Sequence, residues 1–392
     1  MTAERPVGHR GDARTALPLM MGLAALGAVS MNALLPSLGA VQAAFSASDR
    51  SVHLTLTAFL AGAAAAQLGF GAASDAYGRR SALLVAIGIF CIGSAVATSA
   101  PSIDVLAFGR LLQGAGGAAC LILAEAMVAD GSQREALSRR LGYLNVGMAV
   151  AILAAPLAGA ALDRSFGWRS VLAGMLIAGV VLGITAWRRI ADRPEPTDRI
   201  GGWFRRTSRL LRTRAFLAQC SCAGFVMTNY FCLVAFGPKI AMAYGLGSVH
   251  FAILFVWLGV GYVGGTLLAP TLYRRFGRRT SAIGVLLFAA AVAGSGVAAG
   301  QFGGIALSAF IGIATVMALA AGLVLPGLTS TALAVDASSA GAAAGLFNFA
   351  VFAKGAFVTQ LAGTLFATTP LSMAVTMFIA TTAALLISLR SA

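Results

Sequence analysis

Charged residues are scarce in this sequence, since 10% of its 392 residues are Asp, Glu, Lys or Arg and 59% are hydrophobic. A soluble globular domain carries roughly 25% charged residues. The shortage excludes a water-exposed surface of ordinary composition, and the mean hydropathy of +0.87 agrees with this exclusion. We therefore expect lipid to surround most of the folded chain.

Histidine and cysteine are also few, with three and five residues respectively. His9, His53 and His250 lie in the N-terminal tail or near the ends of apolar runs, and none stands with a nucleophile and an acid, which disfavours an enzyme. Within apolar runs a thiol acts as a small apolar residue, so we expect no metal and no cofactor. The cysteines in such runs are Cys91, Cys120, Cys220, Cys222 and Cys232.

Long apolar runs are what the sequence has in abundance. A helix of about 20 apolar residues crosses a bilayer, and continuous runs predict helices, because barrel strands alternate apolar and polar residues. The predicted fold class is an all-α membrane protein with twelve transmembrane helices. Their approximate bounds are Leu17–Leu38, Val52–Ala72, Ala82–Ala100, Val105–Val128, Leu141–Leu162, Ser170–Trp187, Ala215–Phe236, Phe251–Leu272, Ser281–Ala299, Gly303–Leu325, Ala340–Gly363 and Ser372–Leu389.

Arginine is distributed unevenly between the breaks that separate these runs. With the N-terminus inside, the bias fits the positive-inside rule and predicts a multi-pass protein of the bacterial inner membrane with both termini in the cytoplasm. Topology then accounts for most of the net charge of +15, so no nucleic-acid partner is expected. The inner breaks hold Arg5, Arg10, Arg14, Arg79, Arg80, Arg134, Arg139, Arg140 and the segments Arg188–Arg214 and Arg274–Arg279, whereas the outer breaks hold Arg50, Arg164, Arg169 and Lys239.

One short sequence occurs twice. Tyr77–Ser81 reads YGRRS and Phe276–Thr280 reads FGRRT, each between the second and third run of a set of six. Two parallel six-helix halves with a substrate site between them are a recognised transporter plan. The predicted domains are a cytoplasmic tail over 1–16, an N-terminal half over 17–187, a cytoplasmic linker over 188–214 and a C-terminal half over 215–392.

Three stretches carry a resemblance to a known family. GFGAASDAYGRR, from Gly69, resembles the cytoplasmic loop signature of the major facilitator superfamily. RLLQGAGGA from Arg110 resembles its fourth-span motif, and ILAAPLAGAALDRSFGWRSVL from Ile152 resembles its fifth-span antiporter motif. With LLPSLGAVQAAF from Leu34, these are similar to the twelve-span drug:proton antiporters of the Bcr/CflA multidrug efflux group. The resemblance implies a monomer of two pseudo-symmetric halves that works by alternating access.

Two positions depart from this family pattern. Ala155 stands where the antiporter motif has a glycine before Pro156, and Asn32 stands where relatives often carry an acid in span one. A carboxylate for proton coupling must then come from elsewhere, and Glu125 is the only acid well inside a span. We expect Glu125, with Arg110 on the same helix, to couple transport to protons.

The loop after span two has a predicted mechanical role. Asp75 ends the span, Gly78 can adopt the positive φ of a tight turn, and Arg79 and Arg80 add charge. The resemblance implies that ion pairs of Asp75 and the arginines with neighbouring helix ends hold one state, and Asp130 is the expected partner. The alternative is that these charges only set the topology.

Charged residues inside predicted spans are costly unless paired or hydrated, and they mark functional sites. Arg110 and Glu125 lie on one stripe of span four, which we expect to face a cavity. They are about 22 Å apart along the helix and cannot pair. Glu125 could instead extend its carboxylate to the inner surface, and Lys354 of span eleven could serve only as a hydrogen-bond donor between helices. Between the two charges the stripe contains Gly114, Gly117 and Leu121.

Polar and aromatic side chains within the spans complete the predicted substrate site. Each could equally be a helix-packing residue, because Asn and Gln commonly form hydrogen bonds across helices. The residues predicted to bind substrate are Asn32, Arg110, Gln113, Asn229, Tyr230, Trp257, Asn348 and Lys354.

Span five is predicted to pack closely against a neighbouring helix. Pro156 is tolerated in a membrane helix because neighbouring groups satisfy the freed carbonyl, and Gly147 and Gly159 leave room for close approach. A kinked helix with a small-residue face suits a moving interface.

These observations together predict a proton-coupled exporter of small amphipathic organic compounds or drugs. Its partners are a small-molecule substrate, protons and the lipid bilayer. One alternative is a dedicated transporter of a single metabolite, anionic because Arg110 and Lys354 outnumber the acid. The other is a membrane receptor or scaffold that transports nothing.

Overall fold

The structure, a computed structural model, describes residues 12–130, 134–190, 207–243, 245, 248–276, 307–335, 340–365 and 370–391. The regular secondary structure of these residues is helical throughout. The tail over 1–11, the middle of the linker, span nine and all but the first residue of FGRRT lie outside them.

Eleven of the twelve predicted spans coincide with described helices, and in this part of the chain nine helical stretches are long and apolar enough to cross a membrane. The chain is an all-α membrane protein. Its helices are α1 (Asp12–Ala33), α2 (Leu38–Phe45), α3 (Asp49–Tyr77), α4 (Arg79–Thr98), α5 (Ile103–Asp130), α6 (Arg134–Phe166), α7 (Trp168–Arg189), α8 (Arg214–Ala243), α9 (Ser248–Phe276), α10 (Leu307–Ala334), α11 (Ala340–Leu365) and α12 (Pro370–Ser391).

Several helices extend beyond the apolar runs from which they were predicted, because residues that cap a helix end lie outside the apolar run. The α3 helix begins after Ser48, whose hydroxyl accepts a hydrogen bond from the backbone N–H of Ser51 at 3.2 Å, and such a cap satisfies an amide that lacks a helical partner. It ends at Gly78, where φ is +91°, a conformation that glycine adopts without strain.

Span one is interrupted near one end. A 3-10 turn over Leu35–Ser37 separates α1 from α2, and Pro36 within it has no N–H to donate to a continuing helix. The turn is buried and packs against α6 of the N-terminal half and against α8 and α9 of the C-terminal half. The interruption therefore lies at a junction of the two halves.

The helices pack into two groups that meet along two pairs. In the N-terminal half α5 packs on α3 and α4 while α1 packs on α5 and α6, and in the C-terminal half α8 packs on α11 and α12 and α9 on α10. The pairs α3–α11 and α6–α9 join the halves. We call the end where α1 begins and α12 ends the terminal end, and the opposite end the distal end.

Glycines bring the backbones of α5 and its neighbours into direct contact. A Cβ atom on Gly114 would overlap the carbonyl oxygen of Phe59 in α3, and one on Gly117 would approach the backbone of Gly27 in α1. In lipid, helices associate through such close packing because lipid tails leave little hydrophobic driving force between them. The α5 helix is thus fixed against α1 and α3.

Candidate functional site

A cavity of about 320 Å³ lies between the two halves. Among the described residues, most helices that reach it contribute residues three or four positions apart, as one face of a helix requires, whereas α11 contributes Phe352 alone. The α9 stripe, for example, consists of Phe255, Leu258, Gly259, Tyr262 and Val263.

The wall of the cavity is mainly apolar. Its polar side chains among the described residues are Asn32, Asn229, Tyr230 and Tyr262, and none of its described side chains is charged. The methionines of the wall are flexible and fill irregular gaps. Such a wall, with few polar groups, is typical of a site for an organic ligand with an apolar body. Its methionines are Met31, Met148, Met227 and Met317.

Asn32 and Tyr230 lie on the wall, as predicted, and they contact each other. The Tyr230 hydroxyl donates a hydrogen bond of 2.8 Å to Oδ1 of Asn32, and Nδ2 of Asn32 donates to the carbonyl of Ala28, also at 2.8 Å. The first bond joins α1 to α8. Both atoms of the Asn32 amide therefore have partners, so the residue is fixed in orientation.

Asn229 also lies on the wall and links two helices of the C-terminal half. Its Nδ2 donates to the carbonyl of Phe225 at 3.0 Å, and its Oδ1 accepts from the Thr381 hydroxyl of α12 at 3.3 Å. Because these bonds hold the amide in place, Asn229 offers a ligand a fixed polar group.

Arg110 and Gln113 were predicted to bind substrate, and the structure places both outside the cavity wall. Arg110 is buried and donates hydrogen bonds to the Ser30 carbonyl at 3.1 Å and to Oε1 of Gln113. Gln113 in turn donates to the Ser94 hydroxyl at 2.8 Å. The guanidinium carbon lies 4.4 Å from the ring centroid of Phe59, which does line the cavity.

Lys354 lies between α11 and α8, next to the wall without forming part of it. Its Nζ donates a long hydrogen bond of 3.4 Å to the Ser221 carbonyl and lies 4.3 Å from the ring centroid of Phe225. The ammonium therefore points toward the terminal end, where Ser221 lies.

Asn348 is also absent from the cavity wall as described, and the structure places it elsewhere on α11. It lies about one turn from Gly345, where a Cβ atom would come within 2.7 Å of the Gln67 carbonyl in α3. Asn348 is thus near the α3–α11 contact between the halves.

Trp257 was predicted to bind substrate, and the structure places it away from the cavity wall. Its side chain is 48% exposed and lies outside the α9 stripe that lines the cavity. Two residues of α-helix rotate a side chain by about 200°, so Trp257 points away from the face that carries Phe255. Phe59, Phe255 and Tyr262 also line the cavity and were not predicted to, although the spacing of three and four residues around Tyr262 indicates the α9 stripe.

Glu125 lies about one and a half turns before the end of α5 and is half-buried. Within the described residues it has no hydrogen-bond or ion-pair partner. Gly114, Gly117 and Leu121 of the predicted stripe line the cavity. The two charged residues of the stripe lie outside the part of it that lines the cavity. Arg110 is nearer the distal end, and Glu125 is nearer the terminal end.

The turn after α3 has the predicted backbone conformation. Gly78 adopts φ of +91° between α3 and α4, and Arg80 donates to the Trp187 carbonyl at 2.9 Å, which joins the start of α4 to the end of α7. Arg79 donates a hydrogen bond to the hydroxyl of Ser74. The side chains of Asp75 and Asp130 lie outside the described residues, so their ion pairs stay a prediction.

The glycines of α6 allow the close approach to α1 that the sequence predicts. A Cβ atom on Gly159 would overlap the carbonyl oxygen of Ala33, and one on Gly147 would overlap the Met21 side chain. Pro156 is buried inside a helix that continues past it. The α6 helix is therefore held against α1 on one side while it contacts α9 of the other half.

Comparison with known proteins identifies the family. The family model of the Major Facilitator Superfamily matches residues 20–359, and the chain belongs to this family of membrane transporters, which are not enzymes. Two solved structures share the fold at low identity. The inward-open xylose transporter XylE from E. coli, described as partially occluded, has a TM-score of 0.74 at 14% identity, with 97% of each chain covered. A bacterial homolog of the human lysosomal transporter Spinster, inward-facing and unoccupied, has a TM-score of 0.76 at 16% identity, with 98% of each chain covered.

Curated relatives are similar over different shares of the chain. An uncharacterized MFS-type transporter, YdgK of Bacillus subtilis, is 29% identical over 94% of this chain and 93% of its own length. Multidrug resistance protein D of Escherichia coli is 29% identical over 44% of each chain. The chloramphenicol resistance protein of Pseudomonas aeruginosa is 29% identical over 61% of this chain and 57% of its own. The protein is thus a multi-pass membrane transporter with relatives named for drug resistance.

Proposed function

We propose that this protein exports small amphipathic organic compounds in exchange for protons. The observation that carries the proposal is the cavity between the halves, whose wall is apolar and offers polar groups at Asn32, Asn229, Tyr230 and Tyr262. A compound with an apolar body and one or two polar groups fits this wall. The names of the relatives, multidrug resistance protein D and chloramphenicol resistance protein, support the same substrate class.

Alternating access is the proposed mechanism, and contacts between the halves support it. Asn32 accepts a hydrogen bond from the Tyr230 hydroxyl, which joins α1 to α8. The Thr57 hydroxyl donates a hydrogen bond of 2.8 Å to Oε1 of Gln360, which joins α3 to α11 toward the distal end. We expect these bonds to separate when the halves rock apart at that end. With both termini in the cytoplasm, as proposed from the arginine bias, the distal end faces outward.

Glu125 is the proposed proton site. A carboxyl inside a membrane helix with no described partner can bind and release a proton as its surroundings change between states. It shares α5 with Gly114, Gly117 and Leu121 of the wall, so a change at the cavity reaches it along one rigid helix. Export against a gradient requires such a link between substrate and proton binding.

A second candidate function is the transport of one anionic metabolite. It is favoured by the positions of two cations: Arg110 lies against Phe59 of the wall, and Lys354 lies against Phe225, which precedes the wall residue Val226. A carboxylate that entered the cavity would be attracted by both.

Uptake into everted membrane vesicles tests the proposal. Vesicles that contain the protein and have an acidified lumen should accumulate labelled chloramphenicol, and a protonophore should abolish the accumulation. Trp257→Phe is the matched control. Trp257 is exposed on the outside of the helix bundle and away from the cavity, so this variant should transport as wild type does. Accumulation that is insensitive to the protonophore would contradict proton exchange, and accumulation of organic anions alone would favour the second candidate.

A further inference from the structure

Arg110 lies directly behind an aromatic ring of the cavity wall. Its guanidinium carbon is 4.4 Å from the centroid of Phe59, whose side chain lines the cavity. The α5 helix that carries Arg110 is fixed against α3, which carries Phe59, because Gly114 contacts the Phe59 backbone. The distance between the cation and the wall is therefore set by backbone packing.

The charge of Arg110 is solvated by neutral groups. Its hydrogen bonds go to the Ser30 carbonyl and the Gln113 amide, and its Nε has no hydrogen-bond partner in the described part of the chain. A guanidinium stays protonated in proteins. Within the described residues no carboxylate contacts it, so a full positive charge remains next to the cavity.

Phe59 cannot shield a ligand from this charge. The face of an aromatic ring attracts a cation, and Arg110 already occupies one face. A ligand cation against the cavity side of the ring would lie roughly 8.5 Å from the guanidinium carbon, allowing about 4 Å for its own contact with the ring. At an effective dielectric constant of about 20, repulsion over that distance weakens binding roughly twentyfold.

We propose that the charge of Arg110, which lies behind Phe59, makes the cavity reject organic cations and admit neutral compounds of the same shape. Lys354 adds a second positive charge near the C-terminal half of the wall, 4.3 Å from Phe225. The described wall contains no carboxylate that would offset either charge. The inference rests on the proposed function, since it assigns the charge of the substrate that the cavity accepts.

Two probes of equal shape and different charge test this inference. The neutral probe is 3-tert-butylphenol and the cationic probe is 3-hydroxyphenyltrimethylammonium, and their binding to the purified full-length protein is measured by titration calorimetry. In wild type the cation should bind at least roughly twentyfold more weakly. Arg110→Gln should reduce the ratio of the two dissociation constants, cationic probe over neutral probe, about tenfold or more, whereas Arg110→Lys should keep this ratio.

Arg169→Gln is the matched control for Arg110→Gln. Arg169 also lies on an aromatic ring, 4.3 Å from the centroid of Trp168, and it also donates to a carbonyl, that of Ala100. It is not part of the cavity wall, so its substitution should leave the ratio between the probes unchanged. A ratio that falls equally in both variants would overturn the assignment to Arg110.

Phe59→Leu decides the question if Arg110→Gln does not fold. This variant removes the ring and keeps the charge of Arg110, so the cationic probe should still bind at least roughly twentyfold more weakly than the neutral probe. Equal dissociation constants for the two probes would show that the ring alone causes the discrimination. Equal binding of the two probes to wild type would overturn the charge selection and leave the cavity as a ligand site. No binding of the neutral probe would count against the proposed function itself.

Discussion

The hydroxyl of Tyr230 donates a hydrogen bond of 2.8 Å to Oδ1 of Asn32, and this bond crosses the boundary between the two halves. Asn32 lies one residue before the end of α1, close to the interruption at Pro36. Asn32 thus joins the two halves close to that junction, and in the proposed mechanism opening of the distal end breaks this bond.

Tyr230→Phe should therefore favour the state that is open at the distal end. Loss of one hydrogen bond costs about 1 kcal/mol, which is roughly fivefold in the population of the two states. Spin labels at Ala40→Cys and Met242→Cys, both exposed at this end, would report longer distances in a background without the native cysteines. Tyr262→Phe, on the same wall, is the control. An unchanged distance distribution in Tyr230→Phe would show that the bond does not hold the distal end closed.

Gly159→Ala should destabilise the N-terminal half. The added methyl would overlap the Ala33 carbonyl, so α1 and α6 must separate, and overpacking of this kind typically costs about 1–3 kcal/mol. The midpoint of thermal unfolding, followed by tryptophan fluorescence, should fall. Gly88→Ala in α4 is the control, because a Cβ there meets no atom within 4 Å. Equal midpoints for the two variants would contradict the packing argument.

Lys354→Met should weaken the binding of anionic ligands much more than that of neutral ones. The ammonium lies beside the wall with one long hydrogen bond to Ser221, so it remains able to attract a carboxylate. Competition binding with a carboxylic acid and its methyl ester measures the difference, and Lys354→Arg, which keeps the charge, should behave as wild type does. Equal losses for both ligands would mean that the lysine serves helix packing.

Glu125→Gln should uncouple transport from protons. The amide mimics a permanently protonated carboxyl, so the variant should bind substrate and equilibrate it passively but not accumulate it when a pH gradient is imposed. Everted vesicles measure both quantities, and Glu125→Asp, which can still titrate, serves as the control. Full gradient-driven accumulation by Glu125→Gln would move the coupling site to another acid, first Asp75 or Asp130.

Asp75→Asn should reduce transport strongly while ligand binding stays nearly intact. Asp75 lies in the last turn of α3, about 18 Å along the helix from Ala63, which lines the cavity. A change in transport rate without a change in affinity would indicate a role in the conformational step. Tyr77→Phe, at the exposed end of the same helix, is the control. Normal transport by Asp75→Asn would leave these charges with a role in topology alone.

Much of the fold could be predicted from the sequence because a membrane helix must be long and apolar, and both properties are local. The sequence YGRRS, which contains Gly78 and recurs as FGRRT from Phe276, indicated two halves. The ends of helices were harder to predict, since capping groups such as Ser48 extend a helix past the apolar run. The interruption of span one follows from Pro36, which was visible in the sequence, although nothing in the sequence showed that this turn would be buried between the halves.

The cavity wall was only partly predictable, because lipid and an apolar cavity select the same residues. Asn32, Asn229 and Tyr230 were found since polar groups in a span avoid lipid. Trp257 was expected on the wall and lies off it, because the opposite faces of α9 are both apolar and aromatic, so periodicity does not distinguish them. Arg110 was predicted correctly as a buried charge, yet only the packing of α5 on α3 shows that Phe59 lies between it and the cavity.

The glycines on the wall limit how this transporter can acquire new substrates. Gly27, Gly114 and Gly117 form part of the N-terminal wall, and any larger residue there meets the backbone of a neighbouring helix. Other wall positions, such as Met148 in the N-terminal half and Met317 and Phe352 in the C-terminal half, carry side chains that can be exchanged at smaller cost. Under selection for a new substrate, viable mutations should therefore accumulate at such positions, while these glycines stay unchanged across descendants.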